Sequence, residues 1–258
     1  MEMPTDLPEH LRFDRALVER NLGDYTLGKI IRSVLHDAER IPEGGCLMVG
    51  NHGPLAIDTG LLVHALYRDL GLIVRPLADR RLIANPLGRR LARGLAGVEG
   101  SPDNAHALLT HGEKVLVYPG GARETTRAPS ERYQLDWGSR LGFARAALNA
   151  HVPIVPVACV GLDDLMGQLV DAETVRNSPF GQFVQRFVKP DVIPPVYFPK
   201  LRPTQLHYFF GEPIPPNAPD ASNIEAVRAL QQKVKTELEA LLVKGLEVRR
   251  EKLGRQQA

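Results

Sequence analysis

Residues 48–60 read MVGNHGPLAIDTG, with His52 and Asp58 on either side of a Gly-Pro bend and apolar residues before and after. An imidazole bonded to a carboxylate is held in one tautomer. Its other ring nitrogen can then take a proton from a hydroxyl, and the carboxylate stabilises the imidazolium that forms. The bend would let the two side chains meet as such a general-base unit. The same residues would serve equally well as a surface histidine and a helix-capping aspartate, since Asp at a helix start is common.

A second stretch, KVLVYPGGARET at 114–125, is also an apolar run that ends in a glycine turn, here followed by Arg123. Amides freed at Gly120-Gly121 would form an anion-binding nest, and the guanidinium adds a full positive charge. Such a place suits a phosphate or a developing oxyanion. Taken alone it also reads as a glycine turn beside an exposed arginine. The sequence contains no GxxxxGK[ST], GxSxG or GxGxxG, which speaks against P-loop, serine-hydrolase and dinucleotide chemistry.

These turns need strands before them and helices after them. CLMVGN reads as a buried strand, and AIDTGLLVHALYRDL as a helix through Leu61, Leu62, Ala65 and Leu66. LIVRPLA, the segment Leu95–Glu99, KVLVYPGG and TQLHYFFGEPI read as further strands, and VPIVPVACVG as one whose two prolines suggest an edge or an irregular start. ANPLGRRLARGLAG and WGSRLGFARAALNA read as helices. Another starts at Ser101-Pro102-Asp103, with Ser as cap, Pro in the first turn and Asp against the dipole. A final helix is predicted with Ser222 as cap and Glu225 completing a capping box. Near the N-terminus two short helices break around Asn21–Asp24, the second carrying Leu27, Ile30, Ile31, Val34 and Leu35 on one face.

Strands alternating with helices predict an α/β fold: a single layered domain over 41–258 with a mixed or largely parallel sheet flanked by helices, preceded by an N-terminal helical extension over 1–40. Two cysteines, Cys46 and Cys159, both in apolar runs, read as buried thiols, and neither belongs to a zinc-binding pair. The net charge of +2 is too small to argue for nucleic acid. No signal-peptide or membrane-spanning stretch is read, so the expected location is the cytoplasm, with or without peripheral attachment to the inner face of the membrane. Arg80, Arg81, Arg89, Arg90 and Arg93 cluster around one helix. They would hold an anionic donor head or a lipid surface, or form a solvated face. Phe180, Phe183, Phe187, Val192, Tyr197 and Phe198 fall in an irregular segment that would form a lid, a membrane-contact surface or a loop over the sheet.

NHGPLAID, NPLGRRLARGLAGVEGSPDNAHALL, VLVYPGGARE and VPIVPVACVG, in that order, resemble the four sequence blocks of the lysophospholipid acyltransferase-like superfamily, and the late FFGEPIPP is also typical of it. Two departures stand out. The commoner members, which acylate glycerol phosphate or lysophosphatidic acid, place four residues between histidine and aspartate, where this chain has five. Their third block reads Pro-Glu-Gly-x-Arg, where this chain has Pro119-Gly120-Gly121-Ala122-Arg123 and so lacks the acidic residue. The HGPLAID and YPGGARE versions resemble the branch of diacylglycerol acyltransferase 2-like proteins and plant phytyl ester synthases, whose acceptor is often a neutral alcohol or glyceride.

The resemblance implies an O-acyltransferase. His52 would be the general base and Asp58 its orienting partner, with Asn51, Gly120, Gly121, Arg123 and Glu124 at the substrate. The donor would be acyl-CoA or acyl carrier protein. The acceptor would be a lysophospholipid, glycerolipid or neutral lipid alcohol, met at a membrane surface. No metal or other cofactor would be needed. An acyl-thioester hydrolase and a non-catalytic lipid-binding protein on the same fold are the alternatives.

Overall fold

A computed structural model of the chain describes residues 6–53, 56–127, 129–170, 172–179, 182, 196–199 and 205–255; at 129, 164–170, 172, 196–199 and 252–255 it describes the main chain only. The strands are β1 (Ser33–His36), β2 (Cys46–Gly50), β3 (Arg75–Ala78), β4 (Val98–Glu99), β5 (Lys114–Val117), β6 (Ile154–Val160), β7 (Met166–Val170), β8 (Val196–Pro199) and β9 (Leu206–Phe210). Seven of them form one sheet in the order β1-β9-β6-β2-β5-β3-β4, while β7 and β8 form an antiparallel pair apart from it. Every pairing in the large sheet is parallel except β6 with β9.

All five residues of β2 are buried, as a parallel strand covered on both faces requires. Its side chains alternate between two cores. Leu47 and Val49 pack under α6 (Pro102–Thr110), α8 (Gly142–Ala150) and the long C-terminal α11 (Ile224–Arg255). Cys46 and Met48 pack under α1 (Arg15–Gly23) and α3 (Ile57–Leu70), where Val18, Leu22, Leu61, Leu62 and Leu66 close the opposite face. Both cysteines are buried free thiols, and burial pushes the Cys46 thiol up to about 11.

Three local readings change. The second N-terminal helix, α2 (Thr26–Ile30), stops early, and Val34 and Leu35 lie in β1, which pairs with β9 from the far end of the chain. The segment expected as a helical extension therefore gives a strand to the sheet. β6 is interior, so of the edge and the irregular start that its prolines suggest, the irregular start holds. Between its pairings to β9 and Ile214, three steps along β6 (Val157 to Ile154) face four (Phe210 to Ile214). Pro156 sits in that bulge, where its missing N–H breaks no regular ladder, and its carbonyl accepts from the Gly211 amide at 2.8 Å. The cap of α11 is Asn223, whose Oδ1 accepts from the amides of Glu225 and Ala226 at 2.9 and 3.3 Å; Ser222 instead donates its amide to Asp220. Most of the expected lid segment, including Phe180, Phe183, Phe187 and Val192, lies outside the described residues.

Candidate active site

β2 and β5 are parallel neighbours in register, Val49 opposite Val117. Their carboxyl ends, the edge where open α/β sheets bind ligands, therefore open side by side and bring the two glycine-bearing turns together. At the end of β2 the Asn51 side chain extends the ladder. Its Nδ2 donates to the Cys159 carbonyl at 3.0 Å and its Oδ1 accepts the Cys159 amide at 2.7 Å. The chain then bends into α3 through Ala56, which takes left-handed φ +56, a conformation that is uncommon for a residue with a Cβ. That bend delivers Asp58 to the first turn of α3.

His52 Nδ1 lies 2.9 Å from Asp58 Oδ2 and 3.1 Å from Oδ1. The ring is 12% exposed and the carboxylate 0%, so the pair sits at a wall with the acid behind the base. Asp58 does not cap the helix, because the cap position is Ala56. The Tyr208 hydroxyl donates to the Asp58 main-chain carbonyl at 3.0 Å and ties this turn to β9. With Nδ1 engaged, Nε2 is the nitrogen left to exchange a proton, and no described residue bonds it.

Two features of the site had no signal in the periodicity or the spacing. The Tyr118 ring stacks on the imidazole with centroids 4.1 Å apart and planes 6° from parallel. It fixes the ring plane and offers an electron-rich face to an imidazolium. Burial first, and the Asp58 charge second, hold the Tyr118 phenol well above its usual range, so it stays neutral. The second is Arg127, which is buried and donates to the His52 carbonyl and, at 2.8 Å, to the Gln134 carbonyl. Only its place a few residues after the glycine turn could have drawn attention to it.

The second turn differs from its expected form. Gly121 adopts φ +50 and ψ −137, which only glycine reaches without strain, but its amide donates to the Tyr118 carbonyl at 3.0 Å and is not free to bind an anion. The Arg140 guanidinium holds the carbonyls of Pro119, at 2.7 Å, and Gly120. Arg123 is 55% exposed and lies 3.5 Å from Asp136, beside the groove and not in its lining. Glu124 is buried and accepts the amides of His52 at 2.7 Å and Asp136 at 3.2 Å. Burial raises its carboxyl above the ordinary value, opposed by the His52 amide bond.

His52, Tyr118 and Gly121 line a groove of about 2270 Å³. Ordinary small-molecule pockets hold roughly 300–1,000 Å³, so this space suits a substrate with a long tail or two substrates together. The helices α4 (Arg80–Ala84) and α5 (Pro86–Gly94) line it as well, with Leu82, Leu87 and Leu91 at its rim 47%, 66% and 61% exposed. No helix among the described residues is long and apolar enough to cross a membrane.

Residues 32–160, half of the chain, match the acyltransferase family model, and the chain belongs to the acyltransferase family. Within it, the sequence is similar to the chloroplastic phytyl ester synthase 2 of Arabidopsis thaliana, 29% identical over 87% of this chain and 35% of that protein. It is also similar to the DGAT1/2-independent enzyme synthesizing storage lipids of Mus musculus, 29% identical over 70% of this chain and 52% of that protein. The chain thus spans about a third to a half of these relatives' length. The solved LPA acyltransferase PlsC of Thermotoga maritima aligns with a TM-score of 0.49 and 20% identity over 87% of this chain and 78% of that one.

Proposed function

We propose that the chain is an O-acyltransferase that moves a fatty acyl group from acyl-CoA or acyl carrier protein to the hydroxyl of a lysophospholipid, glycerolipid or neutral lipid alcohol. The observation that carries this reading is the His52–Asp58 contact at the wall of a large groove. Nε2 of His52 takes the hydroxyl proton while Asp58 holds Nδ1 and stabilises the imidazolium. The oxygen attacks the thioester carbonyl, a C–O bond forms, and the C–S bond breaks. The thiolate leaves and recovers the proton from the imidazolium, so no covalent enzyme intermediate is needed. Gly121 lines the groove beside this reaction, and Arg123 offers its charge at the margin.

The names of the two relatives, a phytyl ester synthase and a storage-lipid enzyme, support a neutral lipid alcohol as acceptor. Arg80, Arg81, Arg89, Arg90 and Arg93, together with the rim leucines, support peripheral contact with an anionic bilayer through α4 and α5. Incubating the protein with radiolabelled acyl-CoA and a panel of lipid alcohols tests the reaction. Labelled ester that disappears in His52→Ala is the expected result. Free acid alone would make the chain a thioester hydrolase, and binding without product a lipid carrier.

A further inference from the structure

Position 120, in the turn that follows β5, carries no side chain. The structure shows what stands there instead. A Cβ built on Gly120 would lie 2.0 Å from Cδ of Glu124, 2.1 Å from its Oε1 and 2.2 Å from its Cγ. No side chain at 120 can coexist with that carboxylate, because real Cβ contacts do not fall below about 3 Å and Glu124 is enclosed, with only 1% of its surface exposed. The volume of the residue-120 side chain is thus filled from four positions downstream.

The carboxylate placed there has a definite target. Oε2 accepts the His52 amide and Oε1 accepts the Asp136 amide. Arg127 grips the other side of the same residue through the His52 carbonyl, with its Nε 3.8 Å from Asp163. The main chain of His52 is held at both its N–H and its C=O by buried charged groups, and the ring is held separately by Asp58 and Tyr118. Neither Glu124 nor Arg127 is among the residues lining the groove.

We infer that Glu124 is a positioning residue: its carboxylate fills the space that a side chain at Gly120 would need and fixes the main chain of His52 from there. Glycine at 120 is the structural counterpart of glutamate at 124, because a side chain at one excludes the carboxylate of the other. This inference rests on the assignment of His52 as the base, and it reassigns Glu124 from the substrate to the support behind it.

A double-mutant cycle at the two positions tests it, read by melting temperature, by the ¹⁵N NMR signals of the His52 amide and ring, and by transfer kinetics. Gly120→Glu in the native background should lower the melting temperature through the clash, and the same change in a Glu124→Ala background should not. Glu124→Ala should shift the His52 amide and ring signals. It should lower kcat about 10²-fold with little change in KM, the scale expected when a reacting group is misplaced by about 1 Å. Glu124→Gln, with one acceptor oxygen in place of two, should fall between. A melting-temperature loss as large in the Glu124→Ala background as in the native one would overturn the packing of Glu124 into the space at Gly120. Unchanged His52 signals in Glu124→Ala would overturn the positioning role. The melting and NMR arms need no turnover, so a chain that moves no acyl group would defeat the proposed reaction while leaving this inference judged on its own.

Discussion

Around His52 the ring, the amide and the carbonyl each have a partner: Asp58 and Tyr118, Glu124, and Arg127. On α5 the pattern reverses. Leu87 and Leu91 stand more than half exposed, and among the described residues Arg89, Arg90 and Arg93 make no ion pair. Both regions line one groove. A base that must meet a hydroxyl within hydrogen-bond reach has to be fixed before substrate arrives, because each ångström of misplacement costs rate. A surface that meets a bilayer gains nothing from internal partners, since apolar and cationic side chains left free are what an anionic interface takes up. Substitutions in the first region should therefore change turnover, and substitutions in the second should change where the protein resides.

The largest effect is expected at the ring. His52→Ala should cut transfer by about 10²–10⁴-fold, the usual worth of a general base, and should also lower the melting temperature, since it leaves the buried Asp58 carboxylate without its partner. Native turnover in that variant would take His52 out of the reaction. Asp58→Asn keeps the shape but removes the charge opposite Nδ1. A loss of about 10²-fold is expected, and an undiminished rate would leave Asp58 only a structural role in the bend.

Asn51→Ala sharpens the contrast from the stability side. It strands the buried amide and carbonyl of Cys159, and an unsatisfied buried polar group costs about 1–3 kcal/mol. A loss of about 3 kcal/mol in denaturant unfolding is expected. By contrast, replacing Arg89, Arg90 and Arg93 together by Glu should leave unfolding within about 0.5 kcal/mol of the native chain, as surface changes usually do. The affinity for vesicles rich in phosphatidylglycerol, read by co-sedimentation, should fall about 10²-fold, at roughly 1 kcal/mol for each of the three basic residues lost. Native binding to those vesicles by the triple variant would remove α5 as the docking face.

The parts visible in the sequence are those set by local pattern. His52 and Asp58 flank a bend whose flanking runs announce a strand and a helix, and the alternation of such runs gave the α/β class. β2 and β5 each end in a glycine-bearing turn, so two candidate halves of a site could be seen before their adjacency was known. What stayed hidden depends on contacts distant in sequence. Val34 and Leu35 continue the apolar spacing of a helix, yet β9, some 170 residues away, takes them as a strand. Pro156 reads as an edge or an irregular start, and the bulge at Gly211 that decides between them leaves no trace in the spacing. The Gly120-Gly121 turn promised free amides, but the amide of Gly121 closes back on Tyr118. Arg127 and Tyr118 gained their roles only when the chain folded them against His52.

The smallest effect is expected far from the groove, where a charge pair is neither fixed as tightly as Glu124 nor left as free as Arg89. Asp37 accepts from Lys244 of α11 at 2.9 Å and lies 3.5 Å from Arg40. The Lys244 hydrogen bond holds its carboxyl below the ordinary value of 3.8. A lowered folded pKa means the ionised form is favoured by folding. The contribution is therefore complete above the unfolded value and fades as pH falls through the folded one. Asp37 also sits at φ +60, a left-handed conformation that Asn tolerates, so Asp37→Asn removes charge without adding backbone strain. At pH 7 it should cost about 0.5 kcal/mol, the scale of a partly exposed pair, and less in 1 M salt. The native and variant unfolding curves should converge only once the pH has fallen through the folded value, below both. A gap that persists there would mean that packing at this turn, and not the charge, joins α11 to the edge of the sheet.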